Sequence, residues 1–274
     1  MQLNEETLWS GPPQSWTRSD SKDALEEVRR LIEQRDYEEA DLKAKSLMGP
    51  YTQSYLPLGE LELTFEHGET VQHYERELDL SSAITYVRYK IGEVTYTRQI
   101  FASYPDQIIA VRITSDHPNM ISFSARLKSP MRYTTMVTED RLILDGRCPD
   151  HVEPNYVSSN RPIVYNESEE SQAIRFQAAI SAKPEGGRVF VDHDGLHVCS
   201  ATAVTLYIAA ASDYLTYKEG QIRERKDPEA SIRQILDKAL LKSYHELRDT
   251  HLADYQQLYN WSATIKVQSI NTLV

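Results

Sequence analysis

From about residue 55 onward, apolar residues fall at every second position. Leu61, Leu63 and Phe65 alternate with polar neighbours, as do Ile121, Phe123, Ala125 and Leu127, then Ile174, Phe176, Ala178 and Ile180, and then Val204, Leu206 and Ile208. A period of two puts such side chains on one face of an extended chain. Further strands are expected at 71–80, 83–91, 93–101, 107–114, 141–145, 187–192 and 195–199. Turn signals separate them: His67-Gly68, Ile91-Gly92, His117-Pro118-Asn119, Asp145-Gly146, Gly186-Gly187 and Asp194-Gly195. Strands in such a series predict an antiparallel sandwich or barrel rather than βαβ units.

The flanks read differently. Residues 1–18 are a loop punctuated by Gly11, Pro12 and Pro13. A first helix places Leu25, Val28, Leu31 and Ile32 on one face, with Ser19, Asp20 and Ser21 as available caps. A second starts from the capping box of Asp36 and Glu39 and runs through Ala40, Ala44 and Leu47 to Gly49-Pro50. Near the C-terminus, Asp227-Pro228 opens a helix carrying Ile232, Ile235, Leu236, Ala239 and Leu240. A further run uses Leu247, Leu252, Tyr255 and Leu258, and the stretch from Trp261 to Val274 has no amphipathic helical order.

Composition narrows the function. A chain of 274 residues suits one large all-β domain or two small ones. Two cysteines exclude a disulfide-stapled fold and a multi-cysteine zinc module. With 10 glycines and neither GxGxxG nor GxxxxGK[ST], nothing suggests a phosphate-cradling loop, and no cofactor is expected. The net charge of −11 argues against nucleic acid as a partner. No apolar run reaches the roughly 18 residues of a membrane helix. The 17 tyrosines against 5 phenylalanines suit half-buried strands and sugar-stacking surfaces alike. Met1-Gln2-Leu3-Asn4 lacks the basic and apolar regions of a signal peptide. This leaves the cytoplasm as the default and the compartment open, since a leader could precede the segment.

Candidate chemistry is sparse. His193 and His197 have metal-ligand spacing, but they flank a hairpin turn rather than share a helix face, so no metal site is expected. Cys148 and Cys199 read as two unrelated thiols. The acidic pairs Glu5-Glu6, Glu38-Glu39 and Glu169-Glu170 are adjacent residues, whereas glycoside hydrolysis needs carboxylates on opposite sides of the scissile bond. Trp9, Trp16 and Trp261 could stack on sugars or fill interfaces, Trp9 being the best placed. The irregular stretch 146–172 is long enough to carry function or to be a surface crossover.

The run Leu3-Asn4-Glu5-Glu6-Thr7-Leu8-Trp9-Ser10-Gly11-Pro12-Pro13 closely resembles the LNE-[DE]-TLWSG-[GP]-P signature of glycoside hydrolase family 95, the α-L-fucosidases. Tyr55-Leu56-Pro57-Leu58-Gly59-Glu60-Leu61, Tyr74-Glu75-Arg76-Glu77-Leu78-Asp79-Leu80 and the run from Tyr96 through Arg98, Phe101 and Ser103 to Gln107 are similar to later family motifs in the same order. The likeness continues through Gly146-Arg147-Cys148-Pro149 to about Leu258.

The resemblance implies a mainly β antiparallel sandwich (supersandwich), spanning residues 1–224 with a helical excursion at 20–48. Residues 225–274 would start a helical linker and end in a divergent tail. In such enzymes the (α/α)6 barrel, normally in the same chain, carries the catalytic carboxylates that release terminal α-linked L-fucose with inversion. The resemblance covers only the N-terminal part, so it implies a fragment cut at both ends, with no catalytic residue of its own. Asn4, Glu5, Trp9 and His151 are the residues expected to face the barrel or shape its substrate mouth, in the loops 4–11 and 147–156. The resemblance implies a fucosylated glycan as the family substrate. The competing expectation is a stand-alone carbohydrate-binding or interaction module.

Overall fold

A computed structural model describes residues 1–11, 19–49, 52–138, 140–168, 171–214, 217–218, 221–222 and 225–271. Trp16, Pro12, Pro13, Pro50 and the pair Glu169-Glu170 lie outside them. The strands in chain order are β1 (Gln2–Leu3), β2 (Gly59–Phe65), β3 (Gln72–Asp79), β4 (Ile84–Ile91), β5 (Val94–Ser103), β6 (Ile108–Ser115), β7 (Ile121–Lys128), β8 (Arg132–Val137), β9 (Arg141–Arg147), β10 (His151–Val152), β11 (Ile163–Val164), β12 (Arg175–Glu185), β13 (Arg188–Asp192), β14 (Gly195–Ala201), β15 (Ala203–Ser212), β16 (Tyr217–Lys218) and β17 (Gln221–Ile222). The helices are α1 (Ser21–Glu33), α2 (Tyr37–Ala44), α3 (Pro228–Leu240) and α4 (Tyr244–Asn271).

The strands form an antiparallel sandwich. A five-stranded sheet runs β1-β2-β7-β14-β13, and an eight-stranded sheet runs β3-β4-β5-β6-β15-β12-β9-β8. The alternation read from the sequence supplies the facing layers. Leu61, Ile121, Phe123, Ala125 and Leu127 of the smaller sheet pack into one core with Phe176, Ala178, Ile180, Val204, Leu206 and Ile208 of the larger. The opposite faces of the central strands are apolar too. Phe101, Ile108, Ala110, Ala179, Tyr207 and Ala209 form a second core with Ile232, Leu236, Ala239, Tyr244 and Leu247 from α3 and α4. Thus β12 and β15 are buried on both faces, and the larger sheet is the middle layer of three.

Local chemistry explains the helix ends. The Asp36 carboxylate accepts from the Glu39 amide at 3.3 Å, and Asp227 accepts from the Glu229 amide at 3.0 Å with Pro228 in the first turn. At α1 the N-cap is Asp20, but its side chain makes no capping bond.

Three expectations are corrected. The buried stripe of α1 is Ala24, Val28 and Leu31, with Leu25 and Ile32 turned out to solvent. A four-and-three spacing through Ala24 is what meets the neighbouring elements, and a stripe through the large residues alone is rotated away from it. The second helix ends at Ala44 and tightens into a 3₁₀ turn, Lys45–Leu47. Finally, α4 continues through Trp261 to Asn271. Its packed stripe is Tyr244, Leu247 and His251, and Leu258 is exposed. A helix anchored over its first turns propagates without an amphipathic pattern, because elongation adds one hydrogen bond per residue fixed.

Candidate functional site

The ends of β2, β7, β9, β12 and β15 bring several distant loops together at one end of the sandwich. The loop after β1 is anchored by Leu8, which is fully buried in the main core with Leu3, Leu58 and Cys148. Its backbone then zips onto the segment before β2. The Ser10 amide donates to Ser54 O at 2.9 Å, the Leu56 amide to Leu8 O at 2.8 Å, and the Ser54 amide to Ser10 Oγ at 2.9 Å. Trp9 and Tyr55 face each other across this bridge, edge-on, with centroids 5.4 Å apart.

A single glycine ties this loop to the second one. The Gly11 amide donates to Pro149 O at 2.8 Å. Gly11 sits at φ +67°, and a Cβ there would lie 2.3 Å from Asp150 O. Only glycine reaches both this backbone conformation and this closeness. Asp150 in turn holds the crossover: its carboxylate accepts from the Asn166 amide at 2.7 Å and the Ser171 hydroxyl at 2.6 Å. Beyond it, β10 and β11 pair as a two-stranded ribbon, His151 opposite Val164.

Each expected residue can now be placed. Asn4 is exposed. The Glu5 carboxylate turns inward, accepting from the Thr7 amide at 2.8 Å and the Thr7 hydroxyl at 2.6 Å. Thr7 Oγ1 also pairs with Ser212 Oγ at the end of β15. Trp9 is 43% exposed and donates its indole N–H to Glu6 O at 3.1 Å. His151 meets Glu153 Oε1 at 3.1 Å rather than Asn4, Glu5 or Trp9. The structure therefore joins the two loops through Gly11 without making one cluster of the four side chains.

Other residues prove important to this arrangement. Asp213, 5% exposed, accepts from the Arg175 amide at 3.0 Å and forms an ion pair with Arg225. Thr7 and Ser212 are 205 residues apart in sequence, so no local pattern could have signalled their contact. The Cys148 thiol is pushed up to about 12 by burial, with the charges of Asp213 and Glu5 adding to it. It is therefore no nucleophile at neutral pH.

The platform's carboxylates at Glu5, Asp150 and Asp213 are all engaged in holding loops. Trp9, Tyr55, Tyr156 and Ile163 are exposed on it, among exposed polar residues that include Asn4, Asn155 and Arg161. Away from it, His197 bonds Asp192 Oδ1 at 2.9 Å and Ser124 Oγ at 3.1 Å. Among the described residues no group of three His, Cys, Asp or Glu is placed to hold a metal. Cys148 and Cys199 are both free.

Residues 1–217 match the family model described as "Glycosyl hydrolase family 65, N-terminal domain". The chain belongs to this family. The curated relatives agree with the α-L-fucosidase resemblance. Alpha-L-fucosidase 2 of Arabidopsis thaliana is 29% identical over 272 residues, covering 95% of this chain and 32% of that protein. A probable alpha-fucosidase A of Aspergillus niger is 24% identical, covering 94% and 32%. Another, of Aspergillus oryzae, is 22% identical, covering 94% and 35%. The chain thus spans about a third of the length of the curated relatives it matches. As a glycosyl hydrolase N-terminal domain it is a β-sandwich, and no helix among its described residues is long and apolar enough to cross a membrane.

Proposed function

We propose that this chain serves as the non-catalytic N-terminal domain of an α-L-fucosidase-like glycoside hydrolase. In its complete form that enzyme would hydrolyse terminal α-linked L-fucose with inversion, using a pair of carboxylates carried by an (α/α)6 barrel outside these residues. The observation that carries the reading is the asymmetry of the match: nearly the whole chain aligns, but with only about a third of each α-fucosidase. The engaged state of Glu5, Asp150 and Asp213 supports it, since a carboxylate spent on loop amides and hydroxyls is poorly placed for general acid or base work.

The loop platform is the surface through which the sandwich would meet the barrel. Trp9 and Tyr55 would supply the apolar contact, as aromatic anchors do in stable interfaces. Asn4 and His151 would stand at the rim, near the substrate mouth, with Glu5 holding the loop's shape from beneath. On this reading residues 1–224 form the sandwich domain and 225–274 begin the connection onward.

The test is an assay for fucose released from a fucosyl-α-1,2-galactoside. The chain alone should release none. Co-expressed with the remaining two thirds of the Arabidopsis relative, it should co-purify and support release, and Trp9→Ala should weaken that association about tenfold or more. Release of fucose by the chain alone would overturn the reading. Saturable fucosyl-glycan binding by the isolated chain, with no association to the barrel, would favour the stand-alone module instead.

A further inference from the structure

Alternation along the smaller sheet sends Phe123 and Ala125 of β7, and Leu196 and Val198 of β14, into the main core, so Ser124 and His197 between them face outward. The register sets Ser124 directly opposite His197, and His197 opposite Phe190 of β13. Asp192 lies two residues beyond Phe190 on the same face. A serine, a histidine and an aspartate from three adjacent strands thus share one side of the sheet. Ser124 and His197 are 73 residues apart in sequence, so no local pattern announces the group.

The hydrogen bonds of this group run in one direction. Asp192 Oδ1 accepts from the Asp194 amide at 2.8 Å and the Gly195 amide at 3.2 Å, and lies 2.9 Å from His197 Nε2. The His197 ring, and next the Asp194 amide, hold this carboxylate below its usual range, so it is charged at neutral pH. A charged carboxylate only accepts, so Nε2 carries the ring proton. In the neutral ring Nδ1 is then a lone pair, and the Ser124 hydroxyl, 3.1 Å away, donates to it. Phe190 stacks on the ring at 4.7 Å between centroids and fixes its plane. Among the described residues no other histidine stands between a serine hydroxyl and a carboxylate. A hydroxyl bonded to a base that a third group orients is the arrangement that makes serine a nucleophile, and both spacings fall within the usual range of about 2.6–3.2 Å. Ser124, His197 and Asp192 are half-buried and Phe190 is exposed, which leaves the face within reach of a small substrate. Arg126, two residues along from Ser124 on the same side, has its Nε fixed on Asp194 O at 2.7 Å, and its other N–H groups bond no described residue.

We propose that Ser124, His197 and Asp192 form an esterase site that removes a short acyl group, an acetyl carried on a sugar hydroxyl. Ester cleavage follows from the three side chains. The sugar as carrier rests on the reading of the chain as part of a glycan-degrading enzyme. Ser124 Oγ attacks the acyl carbon and its proton passes to His197 Nδ1. Arg126 supplies positive charge for the oxyanion that forms. Collapse of the intermediate breaks the bond to the sugar oxygen, which takes the proton from Nδ1, and acetyl-Ser124 remains. Water then attacks the acetyl carbon and gives a proton to Nδ1. The second collapse releases acetate and returns that proton to Ser124 Oγ. Asp192 is a positioning residue that stabilises the charged ring. Phe190 offers the acyl methyl an apolar surface.

The experiment follows nitrophenolate release from para-nitrophenyl acetate by the whole chain at pH 7. Turnover should saturate with substrate, and Ser124→Ala should lower it by about a hundredfold or more. Asp192→Asn should lower kcat by about tenfold or more with KM nearly unchanged, in a protein whose circular dichroism is that of the parent. Phenylmethylsulfonyl fluoride should modify the unaltered chain at Ser124, located by peptide mapping, and this arm carries the test if Ser124→Ala does not fold. No saturable turnover, an equal rate in folded Ser124→Ala, or no label on Ser124 overturns the proposal. A second arm measures acetate released from O-acetylated galactose. Its release supports the sugar assignment, and hydrolysis of the nitrophenyl ester without it overturns that assignment. None of these outcomes touches association with the barrel, which the fucose-release assay measures separately.

Discussion

Single residues decide how the two loops of the platform meet. Gly11 is the clearest case, since its positive φ and its closeness to Asp150 O leave no room for a side chain. Gly11→Ala should cost about 1–3 kcal/mol, read as a lowered midpoint in urea with an unchanged slope. Cys148 gives a second outcome at this scale. Buried, and with its thiol pushed up to about 12, it should resist a thiol reagent at pH 8 until the protein unfolds. Cys199, half-buried, should react first. Counting modified thiols against time in native buffer and in urea checks both. The family motif pointed to the Trp9 loop and to the 147–156 loop. What it could not reveal was that Gly11 would be the residue that joins them, or that Thr7 would meet Ser212, because those contacts depend on where Pro149 and Ser212 arrive from far along the chain.

At the level of elements, period-two alternation marks strands such as β2 and β7, which are apolar on one side and polar on the other, while β12 and β15 are buried on both faces. It missed β8, Arg132–Val137, whose residues are almost all exposed at the edge of the larger sheet. An edge strand with little apolar surface is specified by backbone pairing with its neighbour, which leaves no periodic trace. The α3 helix was legible from both its cap and its stripe. Leu236 is fully buried against the sheet, so Leu236→Ala should destabilise by about 2–5 kcal/mol. Asp227→Ala, which removes only the capping carboxylate, should cost about 1 kcal/mol. Equilibrium urea unfolding of the two variants distinguishes a core defect from a frayed helix start.

For the molecule as a whole, acid is the expected weakness. Asp116 is held at about 2, chiefly by the hydrogen bond from the His117 ring. Asp79, Glu167, Asp192 and Glu246 are also lowered, by Ser82, Arg132, His197 and the Ser243 amide respectively. Each folded value lies below the unfolded one of 3.8 or 4.5, so the folded state binds fewer protons. Their stabilisation is complete above about pH 4.5 and is lost as pH falls toward 2. Melting temperature followed by circular dichroism should be flat from pH 7 to 5 and fall modestly below 4. The alternation of side chains already dictated an antiparallel sandwich, because a strand with one apolar face must bury it against another. The ordered motifs already pointed to the family. Tertiary structure alone decided that the larger sheet would be covered on its second face by α3 and α4. It also decided which loops would meet at Gly11, and that Arg76 and Arg98 would share one face of the larger sheet. Those outcomes depend on strand order and register, which join residues tens to hundreds of positions apart and leave no mark on the local pattern.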